Sequence, residues 1–292
     1  MAVVLIAGCG YVGSVLGAEL AAQGHDVHGL RRDPTGLPAG VKPLAADLLT
    51  LETLGVIPEG VDFVVFAAAP SSSRAGDPER TKAAYRAIYL DGFGNLLRTL
   101  TEQAESPRRV FFTSSTSVYG QRRGEWVNES AAAEPARFNG EMMLMAEGML
   151  RGSRYLGTSL RFGGIYGPGR TRLIDSVRSG EARVRPGGPH YTNRIHRDDA
   201  AGILAHLIGQ ESLEELYLGV DSDPAEEAEV YEWLAKELGT AAPQEDPSAT
   251  ALARGVGSKR CSNAKLLGTG YRFRYPTFRE GYGALIREDS ER

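Results

Sequence analysis

Three glycines near the N-terminus have the spacing of a phosphate-binding turn. Gly8, Gly10 and Gly13 follow the apolar run from Val3 to Ala7 and precede an amphipathic segment. In the G-x-G-x-x-G pattern the glycines permit a tight turn, close approach of a pyrophosphate, and close packing of a helix on a strand. Free N–H groups at the helix N-terminus then face the phosphates. The context predicts a dinucleotide site, and a glycine-rich turn without a ligand is the alternative. The predicted cofactor contacts in this turn are Gly8, Gly10, Tyr11, Val12 and Gly13.

Two arginines follow the second predicted strand, at the position that distinguishes NAD from NADP. NAD sites place an acidic side chain there for the ribose 2′-hydroxyl, whereas NADP sites place arginine for the 2′-phosphate. Here Arg31 and Arg32 end the strand, and Asp33 follows one residue later. Two guanidinium groups can hold a phosphate through paired hydrogen bonds. We therefore predict NADP, with NAD as the alternative cofactor and solvated surface arginines as the interpretation without a ligand.

The elements that must position these residues follow an alternating pattern. Short apolar runs alternate with helical periodicity, which is typical of βαβ units and a parallel sheet. Strands are predicted at Val3–Ala7, Val27–Leu30, Val61–Ala69, Arg109–Ser114, Thr158–Phe162 and Leu216–Val220. Helices are predicted at about 11–23, 81–102, 139–151 and 198–209.

The pattern changes after Asp221. Asp223 and Pro224 predict the start of a helix, with Asp as its N-cap and Pro in its first turn. After this helix we expect a Pro/Ala/Gly-rich stretch from 239 to 257 and an irregular aromatic tail from 271 to 282. We predict a smaller lobe here.

Composition excludes several classes of protein. The 292 residues include 33 Lys and Arg against 37 Asp and Glu, and the net charge of −4 offers no surface for nucleic acid. No apolar stretch approaches the roughly 20 residues that span a bilayer. Two cysteines, too few for a disulfide framework, favour a reducing compartment, so we expect a cytoplasmic protein. The five histidines lack metal-ligand spacing, so we predict no metal site.

Several further motifs identify a family. They are Ala46-Asp47-Leu48, Phe66-Ala67-Ala68-Ala69, Gly92 with Asn95, the run 111–120 ending in Ser114-Ser115-Thr116-Ser117-Val118-Tyr119-Gly120, the run 160–170, and the run 193–199. Together they resemble the extended short-chain dehydrogenase/reductases, the NAD-dependent epimerase/dehydratase family. The resemblance covers nearly the whole chain.

The resemblance implies an α/β fold of the Rossmann type, a doubly wound parallel sheet with a smaller C-terminal substrate lobe. The dinucleotide-binding domain would comprise residues 1–163 and 191–220, and the small lobe residues 164–190 and 221–292. The resemblance adds as cofactor contacts Asp47, Leu48, Ala67, Ala68, Ala69, Ser114, Phe162, Gly163, Gly164 and Ile165. It makes Ser115 the candidate catalytic hydroxyl.

The catalytic pair of this family is missing. The family uses Tyr-x-x-x-Lys, in which Tyr exchanges a proton with the substrate and Lys lowers the Tyr pKa. Aligning from Glu147 places Asn139 and Met143 at the two positions, and a shift by one places Phe138 and Met142 there. No Lys occurs from 83 to 235, so neither register supplies the pair. We therefore predict that the usual acid–base chemistry is absent.

Three other positions bear on the activity. Ser115 would polarise a carbonyl, or else bond to backbone at the strand end. Tyr119 is the nearest phenol and would replace the missing acid, although we favour packing beneath its loop. Gly164 stands where nucleotide-sugar enzymes of the family carry Asn, which argues against a UDP- or dTDP-sugar substrate.

Two functions remain open. One is an NADP-dependent oxidoreductase or epimerase-like enzyme on a small, unidentified hydroxyl or carbonyl compound, without the usual Tyr/Lys pair. The other is a non-catalytic NADP(H)-binding sensor or scaffold. Related proteins often dimerise through the helices that correspond to 81–102 and 139–151, and a homodimer through them is therefore a further prediction. No membrane or nucleic-acid partner is expected.

Overall fold

The computed structural model describes residues 1–70, 77–246 and 257–291. Parts of segment 70–80, between the predicted strand 61–69 and the predicted helix 81–102, and of the Pro/Ala/Gly-rich stretch 239–257 lie outside the described residues. The strands are β1 (Val3–Ala7), β2 (Asp26–Arg31), β3 (Val41–Ala45), β4 (Phe63–Phe66), β5 (Arg109–Ser115), β6 (Glu125–Val127), β7 (Gly157–Phe162), β8 (Gly164–Tyr166), β9 (Arg194–His196), β10 (Leu216–Gly219) and β11 (Lys259–Cys261). The α-helices are α1 (Gly13–Ala22), α2 (Pro78–Arg86), α3 (Phe93–Glu102), α4 (Phe138–Arg151), α5 (Arg172–Arg178), α6 (Arg197–Ile208), α7 (Glu227–Leu238), α8 (Ala264–Gly268) and α9 (Phe278–Ser290).

The central sheet has seven strands within the described ranges, in the order β10-β7-β5-β4-β1-β2-β3. β1 pairs in parallel with β2 and β4, β2 with β3, and β4 with β5. Val4 to Ala7 are fully buried, as a central strand covered on both faces requires. The predicted Rossmann-type α/β fold is confirmed, because this strand order reverses between β1 and β4. Ligands of such sheets bind outside the carboxyl ends of the strands at that reversal.

The long helix predicted at 81–102 begins earlier and is not uniform. It starts at Pro78, where the Asp77 carboxylate accepts the N–H groups of Glu79 and Arg80. A π-helical turn from Ala87 to Gly92 joins α2 to α3. The turn places Gly92 beside Leu48, where an added Cβ would lie 3.2 Å from the Leu48 Cβ.

Two expectations for the C-terminal region are wrong. Asp223 does not cap a helix: α7 begins at Glu227, and the Asp223 carboxylate accepts a hydrogen bond from Arg279 instead. The aromatic tail 271–282 is not irregular throughout, because α9 begins inside it at Phe278. Thr277 and Glu280 form a capping box there, a signal that outweighed the aromatic composition. Segment 121–135, which lies between the predicted strand 109–114 and the predicted helix 139–151, contains the short strand β6, which pairs in parallel with β11.

The chain divides into two compact units. The first comprises Met1–Val118, Phe138–Arg161 and Ala201–Tyr217, and the second comprises Tyr119–Arg137, Phe162–Ala200 and Leu218–Arg292. The core of the second unit packs α5, α7 and α9 around Phe278 and Leu234. The predicted domain boundaries stay a prediction. None of the helices in the described ranges is both long and apolar enough to cross a membrane.

Candidate functional site

The glycine turn after β1 is closed against the segment after β4. Gly8 has φ +92°, and a Cβ added there would lie 2.3 Å from the N and Cα atoms of Ala68. The N–H groups of Gly8 and Cys9 donate to the Leu30 carbonyl at 2.9 and 3.0 Å. Both the backbone angle and the close approach therefore require glycine at position 8. The contact brings the turn together with Ala68, another of the predicted cofactor contacts.

The other two glycines have different surroundings. A Cβ on Gly13 would lie 2.8 Å from the Gly8 carbonyl oxygen and 3.0 Å from Ile6 Cγ2, so this glycine allows helix and strand to pack closely. A Cβ on Gly10 would meet only the Gly8 oxygen, at 3.9 Å. Gly10 therefore leaves open the space that a pyrophosphate would use.

The N-terminus of α1 suits an anion. No side chain caps it, and its first turn contains no acidic residue. The positive end of the helix dipole and its N–H groups are thus available to phosphate oxygens. Cys9 adds no reactivity, since burial raises the pKa of its thiol to about 11.

The two arginines after β2 are available as well. Arg31 is half-buried and Arg32 is exposed, and neither guanidinium pairs with a group in the part of the chain that the structure describes. Asp33 is occupied by Thr35, whose N–H and hydroxyl donate to its Oδ1 at 3.0 and 2.5 Å. These bonds, mainly that from the hydroxyl, lower the pKa of Asp33. Asp33 therefore does not neutralise the pair by a direct contact.

The segment that resembles the adenine-contacting part of the family, with Asp47 and Leu48, is held by a hydrogen bond from α3. Asn95 Nδ2 donates to the Leu48 carbonyl at 2.9 Å, and the half-buried Asp47 accepts the N–H of Leu49 at 3.0 Å. Asn95 and Gly92 were singled out by the resemblance, and both contact this segment through Leu48.

A buried ion pair connects α4 to the sheet. Glu147 is completely buried, and Arg161 of β7 donates to it twice, from Nε at 2.9 Å and from Nη2 at 2.7 Å. The Ser114 hydroxyl, predicted to contact cofactor, donates to Glu147 Oε1 at 2.6 Å. Sequence reasoning used Glu147 only for alignment and missed this pair. No local signal marks it, because its members belong to separate elements.

The pair fixes which face of α4 meets the sheet. Four residues of α-helix advance about 6 Å and a little more than one turn. Asn139, Met143 and Glu147 therefore follow one another along the face that Glu147 holds against β5. Phe138 points elsewhere, since its ring packs edge-on against Tyr85 at 5.6 Å. This geometry favours the register with Asn139 and Met143 over the one with Phe138 and Met142.

The two candidate catalytic hydroxyls already have partners. Ser115 Oγ accepts the N–H of Ser117 at 3.1 Å, which leaves its own proton free to be donated. Tyr119 is 2% exposed, and its hydroxyl donates to the Asn128 carbonyl at 2.9 Å. That geometry fits packing beneath the loop. A catalytic role for either residue stays a prediction.

The remaining predicted contacts belong to the second unit. Phe162 is buried, and its ring lies against Gly219, where an added Cβ would be 2.3 Å from the ring. Gly163 faces the main chain of Asn193, and the Gly164 N–H donates to the Asn193 carbonyl at 2.9 Å. Ile165 continues β8, opposite Ile195 of β9. Within residues 1–70, 77–246 and 257–291, no group of three or more His, Cys, Asp and Glu side chains is placed to hold a metal ion.

Comparison with known proteins identifies similar chains. A profile described as "NAD dependent epimerase/dehydratase family" matches residues 4–211. The 3-diazoavenalumate denitrifying reductase of a Streptomyces species is 26% identical, covering 96% of this chain and 99% of its own. Protein YeeZ of Escherichia coli K12 is 29% identical over 82% of this chain and 85% of its own. The structure of a Methylobacillus flagellatus protein described as an NAD-dependent epimerase/dehydratase superposes with a TM-score of 0.81, at 38% identity over 99% of both chains.

Proposed function

Because this chain belongs to the NAD-dependent epimerase/dehydratase family, we propose that it is an NADP(H)-dependent oxidoreductase acting on a small carbonyl or hydroxyl compound. The observation that carries the proposal is the turn at Gly8, Gly10 and Gly13. Each glycine has the surroundings that its role toward a pyrophosphate demands. The Streptomyces relative is a reductase by name, which supports reduction rather than epimerisation.

The described residues fit a dinucleotide. The uncapped start of α1 would bind the pyrophosphate, with Gly10 leaving the room. Asp47 and Leu48 would contact the adenine end. Arg31 and Arg32 would bind a 2′-phosphate, because both guanidinium groups are available and Asp33 is occupied by Thr35. This charge distribution favours NADP(H) over NAD(H).

The side chains near the predicted nicotinamide end would have different roles in the reaction. When bound, reduced nicotinamide supplies a hydride. Glu147 and Arg161 position Ser114 and α4. The hydroxyl of Ser115 would donate a hydrogen bond to a substrate carbonyl and polarise it. Met143 and Asn139 carry no proton of useful pKa, so the proton must come from elsewhere.

Cofactor titration tests the proposal. NADPH and NADH binding would be followed by nicotinamide fluorescence for the wild type, Arg31→Ala, Arg32→Ala and Gly10→Ala. Each arginine variant lacks a charged hydrogen-bond donor, so its affinity for NADPH should fall by roughly 10- to 100-fold. Its affinity for NADH should not change. Gly10→Ala should abolish binding of both cofactors, because its methyl group fills the space predicted for the pyrophosphate. The protein should stay folded, because the added Cβ meets only one atom within 4 Å.

Matched controls separate site effects from general ones. Arg98→Ala removes an exposed arginine of α3, and Gly55→Ala adds a Cβ where nothing lies within 4 Å; both should bind like wild type. Tighter binding of NADH, unaffected by the arginine variants, would falsify the NADP assignment. Binding of NADPH without hydride transfer to a panel of aldehydes, ketones and alcohols would favour the non-catalytic sensor or scaffold. The homodimer stays a prediction.

A further inference from the structure

One arginine of the second unit contacts two aromatic side chains. Arg260 lies in β11, and its Cζ atom is 5.0 Å from the ring centroid of Trp126 and 4.7 Å from that of Tyr191. Both distances are within the range of a cation–π contact. All three residues belong to the second unit, and none lies in a motif that resembles the family. We call these three side chains the arginine–aromatic cluster.

Strand pairing places two members of the cluster on one face. β6 and β11 pair in parallel, with Arg260 opposite Trp126 in the register. Successive side chains of a strand point to opposite faces, and Lys259 and Cys261, the neighbours of Arg260, are both buried. Arg260 and Trp126 therefore share the outer face of this small sheet, where Trp126 is 59% exposed.

The backbone at Gly124 holds the other two members. Its φ is +76°, and a Cβ added there would lie 2.9 Å from Tyr191 Cε2, so only glycine lets the ring pack this close. The Gly124 carbonyl accepts a hydrogen bond from Arg260 Nε at 2.8 Å, and the Gly124 N–H donates to the Ser258 carbonyl at 2.8 Å. One hydrogen bond and two rings therefore restrict the orientation of the guanidinium group.

The far edge of the Arg260 guanidinium is open. Within residues 1–70, 77–246 and 257–291 no group pairs with Nη1 or Nη2, and neither nitrogen is sealed from solvent. Two such nitrogens can donate parallel hydrogen bonds to a carboxylate or a phosphate. Because the side chain is already held in place, less conformational entropy is lost when an anion binds. The open edge is therefore suited to an oxyanion.

The surroundings of the cluster favour an anion that carries an aromatic ring. Arg122 and Arg123 are exposed shortly before β6, whereas Glu125 points to the opposite face of that strand from Trp126. The local charge is therefore positive. The exposed indole of Trp126 adds a planar apolar surface beside the guanidinium, on which a second aromatic ring can stack.

We propose that the arginine–aromatic cluster binds a small, planar aromatic anion. Its carboxylate or phosphate group accepts hydrogen bonds from Nη1 and Nη2 of Arg260, and its ring stacks on Trp126. This site lies entirely in the second unit, so the inference does not depend on the dinucleotide site. Tight binding requires both parts of the ligand, because a neutral ring leaves the Nη groups without a partner and a simple anion leaves the indole exposed.

Fluorine NMR of the two tryptophans tests the proposal. Both would be replaced by 5-fluorotryptophan, with Trp126→Phe assigning the signals. Trp233 packs edge-on against Phe278 with ring centroids 5.6 Å apart, so its signal reports whether the second unit is folded. Cinnamate or phenyl phosphate, added without cofactor, should shift the Trp126 signal to saturation and leave that of Trp233 in place. Neutral cinnamamide should bind at least about 10-fold more weakly, because it lacks the charge-assisted hydrogen bonds. A response to only one of the two anions identifies the group that the site accepts.

Variants of Arg260 provide the second test. Arg260→Gln should bind cinnamate no better than cinnamamide, and Arg260→Lys, which keeps the charge but not the planar group, should lose most of the preference. Arg154→Gln is the matched control and should behave like wild type, because Arg154 is exposed and lies 5.8 Å from a single ring, that of Tyr155.

Three results would overturn the proposal: equal affinity for the anions and cinnamamide, a Trp126 signal that neither anion moves, or an Arg260→Gln variant that binds cinnamate like wild type. A wild type that binds cinnamate but no NADPH overturns the proposed cofactor and supports this inference. The two proposals therefore fail separately.

Discussion

The carboxylate of Glu147 is enclosed completely, with Arg161 and Ser114 donating to it and Arg151 3.7 Å away. Removing one partner of a buried ion pair leaves the other charge without compensation, which typically costs about 3–5 kcal/mol. We expect Glu147→Gln to lower the free energy of unfolding by about 3 kcal/mol, measured by urea denaturation. Glu102→Gln breaks the exposed pair with Arg98 and should change it by less than about 1 kcal/mol. Equal losses in the two variants would show that burial does not decide the effect.

Single residues differ in how far the sequence determines their roles. Gly8, Gly10 and Gly13 are predictable because the turn is local in sequence, and Gly8 and Gly13 are also required by close contacts. The Glu147–Arg161 pair is not predictable, because it depends on chain segments brought together by folding. The absence of Tyr-x-x-x-Lys from the sequence shows which catalytic side chains are lost, but it does not show which side chain takes over their role.

Helix α9 begins with a capping box. Thr277 accepts the Arg279 N–H at 3.2 Å, and Glu280 accepts the Thr277 N–H at 2.9 Å. We expect Thr277→Ala to lower the free energy of unfolding by about 1 kcal/mol, a typical value for an N-cap. Thr171 precedes α5 but accepts no backbone N–H there, so Thr171→Ala is the matched control and should cost less. Chemical denaturation of the two variants measures the difference, and an equal cost would exclude capping as the cause.

Elements inside the sheet are easier to predict than those outside it. The runs Val3–Ala7 and Arg109–Ser114 become β1 and most of β5, because buried parallel strands are continuously apolar. Edge strand β3 has no such run, since it contains the exposed Lys42 and Pro43. Asp223 has the local sequence of an N-cap, yet its ion pair with Arg279 takes the carboxylate away from α7.

On the scale of the whole molecule, stability should depend on pH through Asp221. Its side chain is 2% exposed, and burial raises its pKa from 3.8 to about 8, although Arg194 opposes that shift. The folded protein therefore holds a proton that the unfolded chain releases, so the free energy of unfolding falls as pH rises between these values. His196 acts in the opposite direction, because burial lowers its pKa from 6.5 to about 4 and its stabilising effect is lost below pH 6.5.

The interval from pH 6.5 to 8 separates the two groups. There we expect the wild type to lose on the order of 1 kcal/mol of unfolding free energy per pH unit, which is the value of one full proton. Asp221→Asn should remove this slope, since its amide does not titrate. Urea unfolding at several pH values measures it, with Asp33→Asn as the exposed control that should keep the wild-type slope. Parallel slopes in wild type and Asp221→Asn would mean that Asp221 is ionised in the folded protein, with Arg194 compensating its charge.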